Sequence, residues 1–347
     1  MKIEVVTWHL PHPDGTATGR HVFAIWDAVR QQGHDVTAWC WGSPPDGLTP
    51  PPWVRCSPYH DPGGWRRKPA TLLRPRAGLA SVGWQPSDDA VAWAEEPESY
   101  AAIAQAAKRG VTIYHSERLD AVALRRPRPA VVQSMRAERH VVRHAGVAIT
   151  FSARVARVTG IRELCPVTLP IPVAPLDPVA EPVAVMIADW AWQPNQAASH
   201  RLFTHWQTVR EALPDAKLLI AGRGMSDRAV PSGVEVVGEV ATPSDALRRA
   251  AVLAFPCPPT SGPKMKVLDA LAWGLPVVTT RAGVEGIQVA EPAVAVADDA
   301  GFASALIDVL GDPARRAEMA AAGRAAVLAH HTPQHAAAAR LALISRL

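Results

Sequence analysis

Short apolar runs alternate with amphipathic stretches twice along this chain, and that alternation limits its fold more than any other feature. Lys2–Trp8 is a β-rich run, Val22–Gln32 has helical spacing through Phe23, Trp26, Ala28 and Val29, and Asp35–Trp41 is a second β-rich run after Gly33-His34. Strand, helix and strand joined this closely form a βαβ unit, whose right-handed crossover commits the sheet to parallel pairing. Ala90–Ala94, Ser99–Lys108, Val111–Tyr114 and Val147–Phe151 are expected to continue the alternation as strand, helix, strand and strand. Residues 42–87, rich in Pro, Gly, Arg and Trp, read as irregular loops with broken helices.

The proline-studded stretch Pro166–Pro182 cannot hold a helix and reads as a linker. Beyond it the pattern restarts. Val183–Ala188, Lys217–Ala221, Val234–Val237, Ala251–Ala254 and Pro276–Thr279 are expected strands. Ala197–Arg210, Pro243–Ala250, Lys264–Trp273, Gly301–Leu310 and Pro313–Ala329 are expected helices, and Thr332-Pro333 opens a last one to Leu347. The chain therefore divides into an N-terminal α/β domain over 1–168 and a second over 169–331. With 347 residues each half can bury its own core. In open parallel sheets a ligand is expected at the carboxyl ends of the strands, here in a cleft between two domains.

Composition excludes several classes. No apolar run reaches the roughly 18 residues that span a bilayer, and Met1–Val6 leads straight into a strand without signal-peptide architecture. Cys40, Cys56, Cys165 and Cys257 are scattered, which favours reduced thiols in the cytoplasm over a zinc site. Residues 1–165 hold 21 Lys+Arg against 15 Asp+Glu, and the remainder 15 against 17. Arg66, Arg67, Lys68, Arg74, Arg76, Arg125, Arg126 and Arg128 carry part of that basic excess. Such a patch suits peripheral contact with anionic lipid or an acidic substrate, and solvated loop arginines are the plainer reading. Nothing resembles a nucleic-acid module.

The chemistry concentrates in Phe255–Thr280. A strand end runs into Ser261-Gly262, and a helix is expected just after Pro263, a residue suited to a first turn. Unpaired amides and the positive end of the dipole make a helix start an anion site. Lys264 and Lys266 oppose that dipole, so a bound diphosphate would account for them; Asp269, about one and a half turns on, could accept from a ribose diol. An ordinary amphipathic helix burying Val267, Leu268, Leu271 and Ala272, with solvated lysines, fits the same residues.

The full segment is more specific. Ser261-Gly262-Pro-Lys264-Met-Lys266-Val-Leu268-Asp269-Ala270-Leu-Ala272-Trp-Gly274-Leu-Pro276 resembles the donor-site signature of GT-B glycosyltransferases, in particular the retaining family-4 group. Asp189-Trp190 with Pro194-Asn195, Gly222-Arg223-Gly224, Gly238-Glu239 and Gly283 with Gly286 extend the likeness over about 183–330. The resemblance implies two Rossmann-like α/β domains facing a central cleft. It also implies a nucleoside-diphosphate sugar as donor, a small-molecule or glycolipid hydroxyl as acceptor, and retention at the anomeric carbon. No cofactor and no metal are expected.

The resemblance places Asp189, Asn195, Gly222, Arg223, Gly238, Glu239, Ser261, Gly262, Lys264, Lys266 and Asp269 in the donor site. It places Gly15 and Gly19 in a glycine loop after the first strand, and Glu95 and His115 in the catalytic region. His9, His12 and His21 flank the loop, and Trp8, Trp84 and Trp93 could line an acceptor site, although core packing suits each tryptophan as well. Two departures stand out. Ser261 replaces a glutamate that touches the sugar in many members, and Asp189–Gln196 lacks the usual cation pair. The first keeps open a non-catalytic partner subunit of the same fold, beside a nucleotide-sugar epimerase or hydrolase. A nicotinamide enzyme is disfavoured, since no G-x-G-x-x-G follows either first strand. In the family the last helix crosses back to the N-terminal domain, and Thr332–Leu347 is expected to do so.

Overall fold

A computed structural model describes residues 1–42, 45, 47–56, 84–85, 87–123, 129–225 and 230–347. The basic cluster at 66–76 and the arginines at 125–128 lie outside the described residues. Two compact units emerge. The first comprises Met1–Pro170, Ser261–Pro263 and Thr332–Leu347; the second comprises Ile171–Thr260 and Lys264–His331. No helix among the described residues is long and apolar enough to cross a membrane.

The first unit holds a seven-stranded parallel sheet. Its strands are β1 (Lys2–Thr7), β2 (Asp35–Cys40), β3 (Val54–Cys56), β4 (Val91–Ala94), β5 (Arg109–Ile113), β6 (Val147–Thr150) and β7 (Glu163–Leu164), in the order β3-β2-β1-β4-β5-β6-β7. Ile3 pairs with Val36 on one side and Val91 on the other. β1 and β4 are buried along nearly their whole length, as parallel strands covered on both faces should be. Five helices follow strands of this sheet: α1 (Ala17–Gln31), α2 (Tyr100–Ile103), α3 (Glu117–Ala123), α4 (Pro129–His144) and α5 (Ala153–Thr159). α1 begins five residues before the helical spacing suggests, because the Thr16 hydroxyl accepts from the Gly19 amide and caps it. It buries Val22, Ile25, Trp26 and Val29, a stripe at i, i+3, i+4 and i+7. The helix expected over Ser99–Lys108 is a single turn, since Arg109 already belongs to β5. α4 and the short strands β3 and β7 are additions to the sequence reading.

The second unit holds a six-stranded parallel sheet of β8 (Val183–Ile187), β9 (Lys217–Ala221), β10 (Val234–Gly238), β11 (Val252–Phe255), β12 (Val277–Thr279) and β13 (Val294–Val296). Their order is β10-β9-β8-β11-β12-β13. Its helices are α6 (Gln193–Ala212), α7 (Pro243–Leu247), α8 (Met265–Ala272), α9 (Phe302–Gly311) and α10 (Pro313–His330). The proline-rich stretch is fastened to this unit over residues 172–180. Arg324 donates to the carbonyls of Pro172 (2.8 Å) and Val173 (3.0 Å), Arg316 donates to Ala180 (2.9 Å), and the Leu176 amide donates to Trp273 (2.9 Å). Prolines lack the amide but keep the carbonyl, so arginines can fasten a strap that cannot enter a ladder.

The last helix, α11 (Pro333–Ile344), packs along α1 in the first unit. Thr332 caps it, accepting from the His335 amide, and Ala336, Ala337, Leu343 and Ile344 are buried. Its anchor is Arg340, wholly buried and 2.7 Å from Glu95, itself wholly buried. The guanidinium carbon lies 5.6 Å from the centre of the Trp26 ring and 5.1 Å from that of Trp93, at cation–π distance. Removing one partner of a buried pair strands the other charge, at about 3–5 kcal/mol. Arg340→Met should lower the unfolding free energy in urea by that amount, and adding Glu95→Gln should recover part of the loss. Equal losses in the single and double variants would place the energy in helix packing instead.

Candidate functional site

In the second unit the strand order reverses between β8 and β11: the chain leaves β8 through α6 toward β9, and β11 lies on the other side. A parallel sheet opens a crevice at such a point, beyond its carboxyl edge. The sequence places two helix starts there, α6 after β8 and α8 after β11. α6 opens with Pro194 in its first turn, so Asn195 lies at the start of a helix and not in the loop before it. α8 starts at Met265; Lys264 is its N-cap residue, with extended backbone and no side-chain cap, and Pro263 precedes the helix. Without a capping side chain, the first amides of α8 keep their donor capacity for a ligand.

A chain of hydrogen bonds joins the two helix starts. Asn195 donates through Nδ2 to the Asp189 carbonyl (2.8 Å) and accepts at Oδ1 from Lys266 Nζ (2.7 Å). Lys266 Nζ also lies 4.3 Å from the centre of the Phe255 ring. Its described contacts are thus a neutral amide and an aromatic face. Burial, reinforced by repulsion from Lys264, pulls the ammonium down to about 7. Lys264 and Asp269 are both buried.

The neighbouring strand ends complete this edge. Gly222 follows β9 at φ +110°, and a Cβ there would lie 1.9 Å from the Ala188 carbonyl oxygen, so only glycine fits. Its amide donates to the Gly238 carbonyl (2.7 Å). Arg223 pairs with Asp189 at 2.6 Å with both side chains largely exposed, and the same carboxylate accepts from the Ala191 amide. Glu239, exposed after β10, adds to the field holding Arg223 charged.

The remaining candidates fall in the first unit. Gly15 closes a turn onto the His12 carbonyl, whereas Gly19 lies inside the first turn of α1; the expected glycine loop is therefore half helix. Packing explains Gly19, where a Cβ would meet the Leu10 carbonyl oxygen at 2.2 Å. Glu95 is a buried anchor of this unit. Trp26 Nε1 (2.6 Å), Tyr114 Oη (2.9 Å) and Arg340 all donate to its buried carboxylate. Burial alone would raise that carboxyl, but Arg340 and His21 outweigh it and hold the group below the usual range. His21 is buried too, donating or accepting at Thr168, and burial beside Arg340 lowers it to about 4. Trp84 and Trp93 are core residues bonded to Glu4 and Thr112, and Trp8 stacks edge-on against Trp41.

Ser261 and Gly262 belong to this unit as well. Ser261 donates from its amide (2.7 Å) and hydroxyl (2.8 Å) to Asp120, and the hydroxyl accepts from the Ser116 amide (2.9 Å). Gly262 sits at φ +78°, where a Cβ would lie 2.3 Å from the Tyr114 carbonyl oxygen and 3.2 Å from His115 Cβ. His115 is exposed at the end of β5 beside it. Asp120 and Ser116 escape sequence reading, since neither stands in a motif. Glu96, at the β1–β4 switch point, accepts from Thr7 Oγ1, Ser99 Oγ and the Trp8 amide. Burial pushes its carboxyl up to about 8 against those donors.

Residues 181–312 match the family model of glycosyl transferases group 1. No curated protein matches the chain in sequence. The fold is GT-B. It is shared with the sucrose-phosphate synthase of Thermosynechococcus elongatus (TM-score 0.72, 15% identity, 99% of this chain and 98% of that one). It is shared also with Anabaena HepE in complex with UDP and glucose (TM-score 0.70, 12% identity, all of both chains). A TarM mutant of S. aureus, in complex with fondaparinux, alpha-GlcNAc-glycerol and UDP, gives a TM-score of 0.64 at 14% identity over 77% of this chain. This chain spans 57% of the length of that TarM.

The depressed lysine gives a test that needs no ligand. Its folded-state value of about 7 lies below the ordinary 10.5, so between those values the unfolded chain binds more protons. Stability from this group therefore rises with pH across that window. In paired urea titrations Lys266→Met should remove that slope, and the variant should lose ground to the wild-type chain between about pH 7 and pH 10. A difference independent of pH would show that Lys266 titrates normally.

Proposed function

We propose that the chain is a retaining glycosyltransferase that moves a sugar from a nucleoside diphosphate to an acceptor hydroxyl. Lys266 carries the reading: a half-buried cation at a helix start, held by a neutral amide and a ring, is completed by an anion that the protein does not itself supply. Lys264 and the first amides of α8 would join it on the diphosphate, and Asp269 would accept from the ribose. Stabilising the leaving diphosphate as the glycosidic bond breaks is the main electrostatic task of such a site. Metal independence belongs to the proposal, with the two lysines supplying charge that a divalent cation would otherwise bring. UDP is the first nucleotide to test, because HepE and TarM are complexed with it. Natural-product and cell-envelope glycosides are the acceptor classes we propose, with the protein in the cytoplasm. A glycolipid acceptor draws support from the exposed Arg136, Arg139 and Arg143 of α4.

A second reading, a non-catalytic subunit, rests on Ser261. The residue in place of the usual glutamate is engaged by Asp120 and Ser116, and it has no carboxylate to offer a sugar. The two readings separate in one experiment, because both bind nucleotide and only the enzyme consumes a UDP-sugar.

Lys264→Ala and Lys266→Ala should each weaken UDP binding by about 1.5–3 kcal/mol in calorimetry, the range for hydrogen bonds to charged groups. Above about pH 7 the wild-type protein should take up a proton on binding, seen as a dependence of the heat on buffer ionisation, since a bound anion raises a depressed ammonium. Unchanged affinity in both variants would remove the donor site. The product should keep the anomeric configuration of the donor by NMR, and EDTA should leave the rate intact; an inverted product or abolished turnover would overturn the mechanism.

A further inference from the structure

β2 and β3 both end on a cysteine, and the two are in register. Cys40 pairs with Cys56 in the parallel ladder, which separates their Cα atoms by about one inter-strand spacing, ~4.8 Å. That lies within the ~4.4–6.8 Å a disulfide requires. Directly paired residues point to the same face of a sheet, so the two thiols are neighbours there. Both are free thiols; Cys40 is fully buried and Cys56 is half-buried. Solvent can thus reach one sulfur, with the second waiting behind it.

We propose that Cys40 and Cys56 form a reversible disulfide, a redox modification site whose oxidant is a hydroperoxide. Cys56 attacks and Cys40 resolves. The Cys56 thiolate displaces hydroxide from the O–O bond and becomes a sulfenic acid, the hydroxide taking up the proton released from Cys56. The Cys40 sulfur then displaces the sulfenic oxygen, which leaves as water with the Cys40 proton. Two thiols and one hydrogen peroxide give one disulfide and two waters. The roles follow the environment: the neighbouring Cys40 thiol pulls Cys56 down, whereas the neighbouring Cys56 and burial push Cys40 up.

Oxidation has a defined local consequence. Cys40 Sγ donates to the carbonyls of Trp8 (3.5 Å) and Gly42 (3.6 Å), and a disulfide sulfur has no proton to give. The bond would staple the three-residue edge strand β3 to β2 while releasing the end of β1, from which the chain runs to Gly15 and α1. This inference is independent of the proposed transferase activity, because Lys264 and Lys266 belong to the other unit.

Native protein is treated with hydrogen peroxide, blocked with an alkylating reagent and mapped by peptide mass spectrometry. The expected product is a Cys40–Cys56 cross-linked peptide pair that dithiothreitol reverses, with Cys165 and Cys257 left reduced. Cys56→Ser should leave Cys40 unoxidised, and Cys40→Ala should leave a sulfenic acid at Cys56 that dimedone traps. Should Cys40→Ala fail to fold, the wild-type map decides alone. Cys56 still fully alkylated after peroxide, or driven to sulfinic acid without a cross-link, would overturn the proposal, as would a cross-link appearing only in denatured protein.

Discussion

The buried pair between Glu95 and Arg340 fixes the layout of the first unit. Moving a carboxylate and a guanidinium out of water costs several kcal/mol each, and their attraction offsets this only when further partners are present. Glu95 has them, in the indole of Trp26 and the hydroxyl of Tyr114. Arg340 is served less completely: Nε and one Nη lack hydrogen-bond partners, and two indole faces stand near in their place. The pair joins residues 245 positions apart and holds α11 against α1. A helix whose apolar side is built largely of alanine buries little area, so the ion pair selects where it docks more than how strongly.

The second unit contains the opposite case. Lys266 is half-buried, and its partners are an amide oxygen and a phenyl face. Arg340 keeps its charge because Glu95 stands beside it, whereas Lys266 is pulled toward neutrality. One cation is compensated within the fold and the other is not. That contrast in partners separates a structural charge from a candidate binding charge. Like charge from Lys264 sharpens it, and a ligand phosphate would relieve both lysines together.

Much of this was legible in the sequence, for physical reasons that differ between elements. β1, β8 and β11 are apolar on both faces because both faces are covered, and such runs announce themselves. β3 and β7, three and two residues long, carry too little pattern to see. The start of α1 was misplaced because a side chain decides it: Thr16 draws the helix forward over Gly19. The donor-site residues after β8, β9 and β11 could be named because a motif spaces them. The pairing of Glu95 was not legible, since a carboxylate at a strand end looks the same whether it faces solvent or an arginine from the other end of the chain. Arg340 itself, the one cation within Pro333–Ile344, was the available hint.

Ser261 and Gly262 show how a motif can combine two constraints. Resemblance attributes the glycine to the close approach of a donor phosphate. The structure gives an independent reason, because φ is +78° and a Cβ would strike the Tyr114 carbonyl. Seating that glycine brings the preceding side chain against Asp120 and the Ser116 amide, where a hydroxyl both donates and accepts. A glutamate at 261 would set its carboxylate beside that of Asp120, and like charges at hydrogen-bond distance force one of them to hold a proton. Serine at 261 and aspartate at 120 therefore suit each other. The serine hydroxyl thus meets Asp120 at a contact that a second carboxylate could share only by holding a proton.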